Sequence, residues 1–292
     1  MEINQKKGSL FAIISGLCYG LVGYFGVTIM HENLSMFTML FWRFLISSLL
    51  IGLLIVFTYI IKQKTVQENF HDMLKILFLG GVSYSATAIT YFISSFYIGT
   101  GLAMVIFFTY PAMIMFFNWA WYRKPIPKIY YVAITLIIIG MLFLADLSSL
   151  KYDILGIGAG IFSALCYSVY IVSGKKTKVA PLVSTLMVSL GCMLTCLILA
   201  ILQNSFITPA TFTLWSNLFV MAVICTAVPI LLLLESLKYI SEEKASILSV
   251  LEPVFVVIFG ILLLGEKIGI LQIIGIVTIL SGALITLLSK KA

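Results

Sequence analysis

Charge is what this chain has least of. Of 292 residues only 18 are basic and 11 acidic, 10% in all, where soluble domains carry about 25%. With 62% of the residues hydrophobic and a mean hydropathy of +1.16, no water-facing surface can be built. Histidine is reduced to His31 and His71, both in predicted loops or at helix ends. The five cysteines, Cys18, Cys166, Cys192, Cys196 and Cys225, all fall in apolar stretches, where a small thiol packs easily. Cys192 and Cys196 are one helical turn apart, but without a His or carboxylate companion they make a poor metal site. No P-loop, H-E-x-x-H or G-x-S-x-G pattern is present. No catalytic residue, metal or cofactor is therefore expected, and the reading is of a non-enzyme.

What the chain has instead is long apolar runs near the ~20 residues that a spanning helix needs. They predict helices at 8 to 30, 36 to 61, 74 to 98, 100 to 122 and 128 to 146, then 154 to 174, 180 to 203, 212 to 237, 243 to 264 and 268 to 289. Some joining segments are as short as Gly99-Thr100-Gly101 or Gly265-Glu266-Lys267, which leaves no room for a soluble domain between helices. Lys6 and Lys7 precede an apolar stretch from Leu10 to Met30 with no A-x-A-like site, so this segment is expected to span the membrane and not to be cleaved.

The basic residues carry a topology. Fifteen of the 18 fall in segments that share a side with the N-terminus, Lys151 and Lys267 lie opposite, and Arg43 lies within a helix. Because Lys and Arg are retained on the cytoplasmic side, both termini are expected there. The pI of 9.1 then reflects topogenic charge, with no nucleic-acid partner.

An internal repeat is also legible. Ser15-Gly-Leu-Cys-Tyr-Gly20 matches Ser163-Ala-Leu-Cys-Tyr-Ser168 at an offset of 148. From the third helix onward an offset of 142 aligns Tyr97 with Tyr239, Ala103 with Ala245, Tyr110-Pro111 with Glu252-Pro253, and Gly140 with Gly282. Five helices per half turn the second copy upside down in the membrane. The expected fold is an all-α integral membrane protein of ten helices, with a first five-helix repeat over 1-148 and a second, inverted one over 149-292.

The stretch from Ser246 through Leu-Glu252-Pro253 to Gly265-Glu266-Lys267-Ile-Gly269, followed by Gly275 and Ser281-Gly282, resembles the C-terminal hallmark of the EamA family of the drug/metabolite transporter superfamily. Tyr110-Pro111 and Gly140 repeat the pattern in the first half, which departs from it at Arg123-Lys124, where family members often have Gly-Glu. The resemblance implies ten helices, inverted repeats, a bacterial inner membrane, and a central cavity lined by helices 1, 3, 4, 6, 8 and 9.

Ionisable groups at bilayer depth cost several kcal/mol, and each is a functional candidate. Glu252 lies about ten residues, or ~15 Å, into the ninth helix. A carboxyl there can bind a proton, a cationic substrate group or an internal arginine, or it can fix helix packing through Ser249 or a nearby tyrosine. Arg43, beside Trp42, can hold a substrate carboxylate, or it can satisfy backbone carbonyls or snorkel outward. Glu235 and Lys238 can pair locally. In the third helix Ser83, Thr87, Thr90 and Ser94 share one stripe, with Tyr84 and Tyr91 on the adjoining one; the stripe reads as a polar cavity wall or as interhelical glue. Tyr19, Tyr167 and Tyr110 add candidate aromatic walls, with Tyr24 and Tyr170 as further rings. Pro111 and Pro253 read as paired flexion points or static kinks. Gly16-x-x-x-Gly20 and Gly156-x-x-x-Gly160 permit close helix approach.

Together these features predict a secondary transporter of a small organic metabolite, with an amino acid as one option. Its expected site comprises Glu252, Tyr110, Tyr19, Tyr167, Tyr84, Tyr91, Thr87, Arg43 and Trp42, with Glu252 as the proton-coupling group. A lipid-linked or drug substrate, or a non-transporting membrane subunit that binds a protein partner, are the alternatives. The expected partners are a small molecule and the bilayer, for a monomer or homodimer.

Overall fold

A computed structural model describes residues 2–30, 32, 34–62, 68–123, 125–145, 153–264 and 268–289. His31, Lys64, Lys124, Lys151, Lys267 and the 148/149 boundary lie outside the described residues. The described chain is helical, and nine stretches are long and apolar enough to cross a membrane. A tenth, Lys128–Leu144, is shorter at 17 residues, about 25 Å at 1.5 Å per residue.

In chain order, α1 runs Glu2–Tyr19 and continues as Val22–Met30, α2 is Met36–Lys62, and α3 is Phe70–Ile98 with a π-helical turn at Ile76–Gly81. Next come α4, split into Thr100–Phe107 and Tyr110–Tyr122, and α5, Lys128–Leu144. The second set is α6, Ile154–Lys176; α7, Pro181–Leu202; α8, Phe212–Ser236, with a π-helical turn at Val223–Ala227; α9, split into Glu242–Ser249 and Glu252–Leu264; and α10, Ile270–Leu288. The first helix starts at Glu2 and not at residue 8, because the polar lead-in stays helical and Lys7 Nζ lies 5.5 Å from the Phe11 ring and 5.3 Å from the Tyr239 ring. Local chemistry sets several other starts. The Asp153 carboxylate accepts from the amides of Leu155 and Gly156, Thr211 Oγ1 from Leu214, and Pro181 opens α7.

The breaks in α4 and α9 fall at the same place in the sequence repeat. Adding 142 to Thr100–Phe107 and Tyr110–Tyr122 gives the bounds of the two α9 segments, and Pro111 and Pro253 each sit in the first turn after a break. A proline is tolerated there because the first-turn amides have no intrahelical acceptor.

Without a hydrophobic force between helices in lipid, close approach is left to small residues and hydroxyls. Gly140 and Gly275 bring α5 and α10 together: a Cβ on Gly140 would stand 2.7 Å from the Gly275 carbonyl oxygen, and one on Gly275 would stand 2.7 Å from that of Gly140. Gly282 faces the Ala133 carbonyl in the same way, at 2.8 Å. The two predicted G-x-x-x-G stripes are used similarly, Gly16 and Gly20 against Ser249 and Phe255 of α9, Gly156 and Gly160 against Tyr97, Ile98 and Ser94 of α3. At Gly191 of α7 the approach is closer still, and a Cβ there would run into the Leu77 carbonyl oxygen of the α3 π turn.

Candidate functional site

Between α1, α3, α4, α6 and α9 lies a cavity of about 660 Å³, within the range that takes small organic ligands. It reaches the turn Gly99–Leu102 and Ala145, at the face opposite the termini. Its walls are mostly apolar and aromatic, with Tyr19, Tyr84, Tyr91, Phe107 and Tyr167 among them. Two charged side chains face it, Glu252 and Arg43.

Glu252 opens the second segment of α9, directly after the break at Val250–Leu251. Amides of a helix's first turn favour a negative charge beside them. Among the described residues the Glu252 carboxylate makes no hydrogen bond, so its oxygens are available to whatever enters. Arg43 is 5% exposed and fixed on one side. Pro229 has no N–H for the Cys225 carbonyl four residues before it, and Arg43 Nη2 donates to that carbonyl at 2.6 Å while Nε donates to Thr226 Oγ1. Both acceptors belong to the π-helical turn of α8. A guanidinium has five N–H groups, so donors remain for the cavity.

The tyrosines form one connected wall. The Tyr84 hydroxyl donates to that of Tyr19 at 3.0 Å. The Tyr84 ring lies 5.0 Å from Tyr170, and Tyr167 packs edge-on against Tyr110 at 4.7 Å. Tyr110 lies behind Tyr167 and does not line the cavity; it is 1% exposed and its hydroxyl donates to the Ser246 carbonyl at 3.2 Å. Tyr170 is equally buried, and its hydroxyl has no hydrogen-bond partner among the described residues.

Trp42 and α8 stand apart from the expected walls, and in α3 the geometry selects between the two readings of the hydroxyl stripe. Trp42 does not reach the cavity: its indole N–H donates to the Ile207 carbonyl at 3.1 Å, and its ring joins Phe41, Phe206 and Trp215 in a separate cluster. Adjacent helical positions do not share a face, which separates it from Arg43. In α3 the wall is the tyrosine stripe, Tyr84, Ala88, Tyr91 and Ser95, joined by Thr87. Ser83 and Thr90 return their hydroxyls to carbonyls of α3, and Ser94 sits against Gly160 of α6. Finally, α8 contributes no lining residue, and Arg43 of α2 stands in front of its π turn.

A second cavity, about 410 Å³, lies on the face that carries the termini, among Glu68, Lys175, Lys178 and Lys238. Its charges are largely engaged. Lys175 donates to the Leu237 and Ile240 carbonyls, Lys238 lies 3.2 Å from Glu235, and Glu68 accepts from the Ala180 amide. At the same end Asn118 Nδ2 donates to Glu243 Oε1, with both residues buried. An amide and an acid near helix ends look interfacial in sequence; the one sign of this pair is Glu242-Glu243-Lys244 at the start of a spanning run.

A profile of the EamA-like transporter family matches residues 6–145 and 154–288. The chain belongs to that family. As an EamA-like transporter it is a multi-pass membrane protein whose general function is membrane transport. An uncharacterized transporter of Clostridium kluyveri is 22% identical over 98% of this chain and 95% of that protein. The uncharacterized transporter YxxF of Bacillus subtilis is 22% identical over 99% and 93%. YcbK, another uncharacterized transporter of Bacillus subtilis, is 39% identical over 56 residues, 19% of this chain and 18% of its own length. A solved crystal structure superposes with a TM-score of 0.81 over 96% of both chains at 14% identity, which shows the fold alone.

Proposed function

We propose that this EamA-like protein is a secondary transporter that carries a small organic metabolite bearing both a positive and a negative group, such as an amino acid, by alternating access. The observation that carries the reading is the pair of charges, Glu252 and Arg43, facing one aromatic-walled cavity. A ligand's ammonium finds the unengaged carboxylate, its carboxylate finds the remaining guanidinium donors, and tyrosine faces accept an apolar or cationic body. Residues 1–148 and 149–292 act as two inverted repeats that rock about the cavity, with the breaks before Pro111 and Pro253 as flexion points. The termini face the cytoplasm, and the membrane is a bacterial inner membrane.

Glu252 is the coupling group in this scheme, binding a proton when cargo is absent. The test is flux of labelled amino acids into proteoliposomes under an imposed pH gradient, for the wild type and Glu252→Gln. Gradient-driven uptake by the wild type that disappears in the variant is the expected result; a variant with wild-type pH dependence ends the proton assignment.

A drug or lipid-linked cargo is the second reading, favoured by the apolar share of the wall, which includes Val22, Phe92, Met104, Leu144 and Val256. A thermal-stability screen against amino acids, polyamines, drugs and lipids separates the two, since ligand at a hundred times its Kd stabilises by about 2.7 kcal/mol.

A further inference from the structure

Residues 100–102 and 242–244 hold the same place in the two halves at the 142-residue offset, but the two ends differ in state. Thr100, Gly101 and Leu102 line the cavity where it reaches the face opposite the termini. Glu242, Glu243 and Lys244 are 2%, 6% and 2% exposed, packed shut on the face that carries the termini.

The shut end is held by polar contacts. Asn118, itself fully buried, donates from Nδ2 to Glu243 Oε1 and so ties the second segment of α4 to the first segment of α9. Lys244 Nζ donates to the Ser289 carbonyl at 3.0 Å, and Ser246 Oγ donates to the Glu243 carbonyl at 2.8 Å. The other half has no such side chains. The positions equivalent to Asn118, Glu243 and Lys244 are Gly260, Gly101 and Leu102. A shut end in that half therefore has no hydrogen bond of this kind between α4 and α9.

We propose that the Asn118–Glu243 hydrogen bond is the latch that shuts the terminus face, and that its absence from the other half biases the resting protein towards a cavity open on the opposite face. The assignment rests on the alternating-access reading above. A hydrogen bond to a buried carboxylate is among the stronger polar contacts. Its loss removes one difference between the two ends, and the ratio of the two states changes exponentially with the free energy lost.

The test reads the shut end directly, without a substrate. Spin labels on cysteines placed at Trp121, 69% exposed at the end of α4, and at Lys238, half-exposed at the end of α8, report its width by double electron–electron resonance in nanodiscs. The five native cysteines are buried, and the unsubstituted chain serves as the labelling blank. Asn118→Ala should raise the longer-distance population about tenfold or more, and Glu243→Gln, which keeps the shape and a neutral hydrogen bond, should raise it less. Should Asn118→Ala fail to fold, Glu243→Gln decides. A third variant removes nothing: Gly101→Glu with Gly260→Asn grafts the same pair onto the open end, and it should also raise the longer-distance population. Wild-type distributions in every folded variant would overturn the latch. A shifted distribution with no flux in liposomes would support the latch and count against the transport reading instead.

Discussion

Ser15 Oγ donates to the Pro229 carbonyl at 2.8 Å, joining α1 to α8. In the other half Ser163 Oγ donates to the Thr87 carbonyl at 2.9 Å, joining α6 to α3. Ser163 is Ser15 plus 148 and Pro229 is Thr87 plus 142, the two offsets at which the sequence repeats. One bond has been written twice, although its acceptors, a proline and a threonine, have nothing in common but their backbone. Replacing either serine by alanine should cost about 0.6 kcal/mol, the usual worth of an interhelical hydrogen bond in a membrane. The double variant should lose the sum, because separated sites add. Unfolding in mixed micelles measures all three, and a strongly non-additive double variant would contradict the independence of the two joints.

Arg43 is fixed by the turn that Pro229 creates. Arg43→Met leaves the Cys225 carbonyl and Thr226 hydroxyl without their donors and should cost about 1.5–3 kcal/mol. Pro229→Ala restores an N–H four residues after Cys225, so the pair Arg43→Met with Pro229→Ala should lose less than the two single losses combined. A thermal-unfolding double-mutant cycle reads the coupling, and a coupling of zero would mean the arginine is held by something other than the freed carbonyl.

Gly191→Ala drives a methyl into the Leu77 backbone oxygen, a neighbour that cannot turn aside, and should destabilise by about 1–3 kcal/mol or more. Gly23→Ala makes the same chemical change where an added Cβ meets no atom within 4 Å. It should leave stability close to wild type and reveal itself only in ligand binding, since Gly23 lines the cavity. Melting curves for the two variants, taken side by side, check the contrast.

Tyr167→Ala removes a ring that touches Tyr84, Phe107, Tyr110 and Tyr170. Truncating a packed aromatic costs about 3–5 kcal/mol of stability. Tyr167→Phe keeps the ring, and no hydrogen bond of its hydroxyl is lost among the described residues, so it should preserve both stability and ligand-induced stabilisation. Equal effects of the two substitutions would assign the role to the hydroxyl and not to the ring.

The positions of the ten helices were legible because apolar run length is a direct consequence of bilayer thickness. Helix rotation about its own axis was not. The third helix displays a hydroxyl stripe and a tyrosine stripe, and only packing against α6 determines that Ser94 meets Gly160 while Tyr84 and Tyr91 face the cavity. Trp42 and Arg43 are neighbours in sequence and face different surroundings for the same reason. Glu252 stood out because an isolated acid deep in an apolar run has few explanations. Glu243 did not, because the side chain that hydrogen-bonds to it, Asn118, lies 125 residues away in sequence.

The seam between α5 and α10 has the form of a two-fold dimer interface within a single chain. Gly140 presses on Gly275 and Gly282 presses on Ala133, while Gly140 corresponds to Gly282 and Ala133 to Gly275. Each contact thus pairs the same two repeat positions with their roles exchanged, as self-complementary patches require. Small residues therefore stand at both repeat positions on both sides of the seam, and a larger side chain at any of the three glycines would push the two helices apart.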